Sequence, residues 1–81
     1  MEAYEIVRRR TALGLTQQQL ADAVGVHRVT LVRWEAGRAV PLPLAARLLE
    51  STFSRLDKQQ AQRASRRAAY ALRAAQQSGA R

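Results

Sequence analysis

The chain has 81 residues, no cysteine and a formal net charge of +8 at pH 7, with a pI of about 11.7. That length allows one small domain, and the missing cysteine excludes a disulfide framework, a thiolate zinc site and a cysteine nucleophile. No apolar run approaches the roughly 18–20 residues of a membrane span, and the N-terminus MEAYEIVRRR does not read as a signal peptide. Folding energy must come from a modest apolar core, with help from a partner subunit. Thirteen of the fourteen basic residues are Arg, with Lys58 the one lysine. Arg suits bidentate recognition of phosphate and guanine. A GC-rich genome explains part of the preference for Arg over Lys, but not the charge itself.

Glu2 to Leu13 reads as the first helix, with Glu2 and Glu5 at the positive end of its dipole. Ala3, Ile6, Arg10 and Leu13 fall on one stripe at i, i+3, i+7 and i+10. An Arg on an inward stripe needs a partner, because an unpaired buried charge is costly. Glu35 is the candidate. Arg8 and Arg9 read as solvated charges. Gly14 closes this helix.

Gln17 to Val24 reads as the second helix. Thr16 is its N-cap, and Gln19 three residues on completes a capping box. Leu20, Ala21 and Val24 make its apolar face. Gly25 ends it in the left-handed conformation, which is free of a Cβ penalty only for Gly. Val26 plugs the turn. A third helix follows from about Arg28 to Ala36. Steps of 100° put Leu31 and Trp34 on one side and Arg28, Val29, Val32 and Arg33 on the other. Exposed valines gain nothing from water. Valines beside guanidiniums match a surface that offers anionic oxygens, base-edge acceptors and methyl groups, and the DNA major groove offers all three.

Gly37 ends that helix, and 38–43 read as a loop because each Pro pushes its predecessor out of the α region. Pro43 opens a fourth helix carrying Leu44, Leu48, Leu49 and Phe53. With Ile6, Leu13, Leu20, Val24, Leu31 and Trp34 they form one expected core. Ser54 and Asp57 make a weaker capping box, so a further helix is expected near Arg55. Residues 57–81 are Ala-rich, with a net charge of +5 (six basic, one acidic), and carry no Gly or Pro before Gly79. Helix propensity there is high. Ala61, Ala64, Ala68, Leu72 and Ala75 form a narrow stripe. Three readings stay open: a helix packed on a symmetry mate, a helix laid back on its own domain or projecting, and a frayed basic tail adding phosphate contacts. The expected division is a DNA-binding domain over 1–56 and a basic, helical tail over 57–81 that serves as a dimerisation element or takes a protein partner.

The ordered set Arg10, Gly14-Leu15-Thr16-Gln17, Leu20-Ala21, Gly25-Val26, Thr30, Trp34-Glu35, Gly37 and Pro41 resembles the phage-repressor and Cro-type (XRE-like) helix-turn-helix family over about residues 6–56. The resemblance implies an all-α, compact lambda-repressor-like bundle of four to five helices, here with an Ala/Arg-rich C-terminal helix. It implies an ion pair between Arg10 and Glu35. It implies that Gln17, at the start of the second helix, clamps a phosphate, and that the first, second and sixth positions of the third helix (Arg28, Val29 and Arg33) read bases. Val32 adds an apolar contact and Arg38 a phosphate contact. His27 departs from the Ser or Thr of many relatives. It contacts DNA or stands as an exposed turn residue. As the single His of a chain without Cys, it is a poor metal ligand, and no metal or cofactor is expected.

These readings point to a regulator that binds double-stranded DNA as a homodimer on a palindromic operator, acting by repression in the cytoplasm of a bacterium or phage-infected cell. The rivals are an antitoxin-like protein-interaction module, a nonspecific nucleic-acid binder, and the DNA-binding part of a longer ligand-sensing regulator. An enzyme finds no support: one His and six acids form no carboxylate pair or Ser/His set at useful spacing.

Overall fold

A computed structural model describes residues 1–79 as four helices: α1 (Ala3–Ala12), α2 (Gln17–Val24), α3 (Arg28–Glu35) and α4 (Pro43–Gly79). Residues 80 and 81 of the expected tail lie outside the described residues. No strand occurs among the described residues, and no helix there is long and apolar enough to cross a membrane.

The local signals explain where the helices begin and end. The Thr16 hydroxyl accepts from the Gln19 amide at 3.0 Å, and the Gln19 side chain accepts from the Thr16 amide at 2.9 Å. Both otherwise orphaned donors at the start of α2 are thereby satisfied. Gly25 caps α2 at φ +92°, and its amide bonds back to Ala21 at 2.9 Å. Nothing lies within 4 Å of where its Cβ would stand. The requirement for Gly is therefore in the backbone angle, not in space.

The core is Ile6 from α1, Leu20, Ala21 and Val24 from α2, Leu31 and Trp34 from α3, and Leu49 and Phe53 from α4. α3 crosses both α1 and α2, and α4 packs on α2. Ala21 is fully buried, which lets a neighbouring helix approach closely. Each of the large buried side chains removes enough apolar surface to stabilise the fold by about 1.5–3 kcal/mol.

Three expectations are corrected. Leu44 and Leu48 are not core: they are 70% and 43% exposed, while Leu49, Thr52 and Phe53 face inward. No new helix starts near Arg55; α4 is continuous for 37 residues. Asp57 does not cap a helix, since its carboxylate accepts from Arg9 at 3.4 Å. Nor is Arg9 a solvated charge. Its side chain is only 18% exposed, bonds Glu50 at 2.7 Å and stacks with its guanidinium carbon 4.6 Å from the centre of the Phe53 ring. It clasps α1 to α4. Arg8 does stay at the surface, 3.9 Å from Glu5.

The tail from 57 onwards is helical through Gly79, and residues 57–77 are exposed. It projects from the bundle. At 1.5 Å per residue, α4 is about 55 Å long, which accounts for most of the molecule's 61 Å long axis.

Candidate nucleic-acid interface

α3 is amphipathic in an unusual sense. Its inner side, Leu31 and Trp34, is 0% and 6% exposed and anchors the helix in the core. Its outer side carries Arg28, Val29 and Arg33, all exposed, with Val32 and Thr30 half-buried between the two. Val29 alone is 69% exposed. A branched apolar side chain held in water between two guanidiniums contributes nothing to the fold.

His27 occupies the N-cap position of α3 and is exposed. Its carbonyl accepts from the amides of Thr30 at 3.0 Å and Leu31 at 3.3 Å. Its imidazole makes no capping bond. A Ser or Thr there would turn its hydroxyl back on the helix; the imidazole is left facing solvent at the entrance to α3.

An open hollow lies where α2 and α3 meet, lined by Gln18, Asp22, Val26, His27, Arg28 and Thr30. Gln18 donates to Asp22 at 2.9 Å along one side of it. Gln18 and Thr30 border this surface and were not singled out as contacts by the sequence. The available signal was position: Gln18 is the second residue of α2, and Thr30 lies one turn before Arg33.

A chain of side-chain bonds holds the three short helices in register. Arg10 Nε donates to Glu35 Oε2 at 2.7 Å, and Arg10 Nη2 donates to Glu35 Oε1 at 3.0 Å. Arg10 Nη1 also donates to the Leu15 carbonyl at 2.9 Å. Gln17 Nε2 then donates to the same Glu35 Oε1 at 3.0 Å. Glu35 is thus bonded from α1 and from the start of α2. The Gln17 amide is half-buried and keeps one N–H that this bond does not use. The backbone N–H groups of the first turn of α2 lie beside it. Arg38 is exposed just past the end of α3, its backbone amide bonded to Arg33 at 2.9 Å.

Arg28, Val29 and Arg33 therefore share one open face, with His27 at its entrance. Gln17 and Arg38 stand at separate positions, the start of α2 and the loop after α3.

A helix-turn-helix family model matches residues 6–57 of the 81. No curated protein and no solved structure matches the chain.

Proposed function

The chain belongs to the Cro/C1-type (XRE-like) helix-turn-helix family of DNA-binding transcription regulators, and from that premise we propose that it reads a specific operator through α3 and represses by occupying a promoter. The observation that carries this reading is the outer face of α3, where Arg28, Val29 and Arg33 are exposed while the helix is anchored from behind by Leu31 and Trp34. A rigid backing is what a reading surface requires, because base discrimination is lost if the helix can shift.

In this reading α3 enters the major groove and α2 lies across the sugar-phosphate backbone. Arg28 and Arg33 each chelate O6 and N7 of a guanine, and Val29 packs on a thymine methyl, with Val32 as a second apolar contact. His27 meets the DNA at the mouth of the groove. The free N–H of Gln17 and the backbone amides beside it hold a phosphate, and Arg38 holds another. Two copies bind a palindrome whose half-sites lie about 34–36 Å apart.

The test is selection of bound duplexes from a random library at moderate salt, with wild type, Arg28→Ala and Arg33→Ala. We expect a palindromic consensus that relaxes at one base pair per half-site in each variant, at a cost of about 1–3 kcal/mol there. Binding without any consensus, weakened equally by both substitutions, would defeat the reading in favour of a nonspecific binder.

A further inference from the structure

Where the projecting half of α4 leaves the bundle, it passes the turn between α1 and α2. Leu13, Leu15 and Leu56 floor an open hollow of about 530 Å³ at that point, and Gln60, Arg63 and Arg67 stand along its α4 side. Arg63 and Arg67 are four residues apart and share a helical face. Among the described residues neither lies within ion-pair distance of a carboxylate. The one acid of this half, Asp57, is already bonded by Arg9. Leu15 immediately precedes Thr16, the N-cap of α2. The hollow that the two arginines line thus adjoins the start of α2, where Gln17 presents its unused N–H.

We propose that Arg63 and Arg67 grip the sugar-phosphate backbone of duplex DNA just outside the half-site, so that α4 lengthens the footprint on the side of the α2 N-terminus. The proposal rests on the DNA-binding reading above and adds a second contact surface to it. The chemistry fits a phosphate backbone. The hollow offers guanidiniums and amides at its rim, and its leucine floor supports the aliphatic stems of two arginines while their charged heads stay in water. Exposed arginines without acid partners on a rigid helix are suited to sequence-independent contacts that position a protein on the duplex. Arg66 and Arg73 lie about a quarter turn away around α4 by the helical repeat and do not line this hollow, so they form an internal control.

The experiment compares wild type with Arg63→Ala/Arg67→Ala and Arg66→Ala/Arg73→Ala over a salt series. Each binds a long duplex carrying the selected site within random flanks, and the same site trimmed flush. Ala is the strongest helix former, so α4 persists in both variants, which circular dichroism verifies. On the long duplex Arg63→Ala/Arg67→Ala is expected to bind about tenfold more weakly. Its slope of log K against log salt is expected to be shallower by about 1.8 per bound protomer, two phosphates at about 0.9 each. On the trimmed duplex it should match wild type. Arg63→Lys/Arg67→Lys should restore most of the slope. Unchanged binding to the long duplex would overturn the proposal and leave the hollow to a protein partner. An equal loss with Arg66→Ala/Arg73→Ala would also overturn it, since the effect would then be diffuse charge. Absence of any consensus for wild type would count against readout by α3, while the salt slope on any long duplex would still report on Arg63 and Arg67.

Discussion

Arg10 and Glu35, twenty-five positions apart, meet in a two-pronged bond of 2.7 and 3.0 Å, with side chains only 15% and 5% exposed. This bond ties α1 to the last turn of α3, and Glu35 passes the connection on to Gln17 in α2. The helix whose outer face carries Arg28, Val29 and Arg33 is therefore fixed at its far end by a charge pair.

Breaking that pair leaves a partly buried charge unmatched. Arg10→Met or Glu35→Leu alone is expected to destabilise the fold by about 3–5 kcal/mol in urea titration. The double substitution should cost clearly less than the sum, because neither charge is then stranded. Strict additivity would show that the two side chains do not act as a unit.

The Arg9 clasp is weaker, since its carboxylate partners are more than half exposed. Arg9→Ala is expected to cost about 1–2 kcal/mol, the scale of a partly desolvated cation–π contact plus a surface ion pair. Burial acts to lower the guanidinium's pKa, but the bonds and charges of Glu50 and Asp57 together outweigh it and raise it. A group whose pKa is raised on folding loses its contribution only as pH climbs through the folded value. The cost of Arg9→Ala should therefore be the same at pH 7 and pH 9. A marked fall over that interval in a pair of thermal melts would refute the assignment.

Gly25→Ala should destabilise by about 1–2 kcal/mol, the penalty of a Cβ in the left-handed region. Gly25→Asn should cost less, because Asn visits that region more readily. No clash contributes, since the position is open. Equal losses for Ala and Asn would show that backbone angle is not the cause.

Leu48 and Leu49 are neighbours in sequence and opposites in the fold. Leu49→Ala is expected to cost about 2–5 kcal/mol as a core truncation. Leu48→Ala should change stability by about 0.5 kcal/mol or less, as an exposed site. A large loss at Leu48 would require a contact that the isolated chain does not make, and its dependence on protein concentration would reveal association.

Arg38→Ala should weaken binding evenly across all duplexes and reduce the salt slope by about 0.9, with base preferences intact. A change in consensus would move Arg38 from the phosphates to the bases.

Much of the local structure could be derived from the sequence because it depends on contacts within a few residues. The Thr16 and Gln19 box, the left-handed Gly25 and the division of α3 into Leu31 and Trp34 against Arg28, Val29 and Arg33 each follow from one or two turns of backbone. Arg10 was identifiable because a charge in phase with Ile6 must find a partner. The other features required the packed molecule. A helical wheel states which α4 residues share a face but not which face meets the domain; in the packed molecule Leu49, Thr52 and Phe53 turn inward and Leu44 and Leu48 outward. Arg9 differs from its neighbours in sequence only by facing α4, where Glu50, Phe53 and Asp57 are brought together by two successive steps of about one turn. With no Gly or Pro between residues 44 and 78 nothing interrupts the helix near Arg55, and α4 runs on. Local rules choose each helix and its ends, whereas the rotation of one helix against another is decided by which side chains find room and partners across the contact.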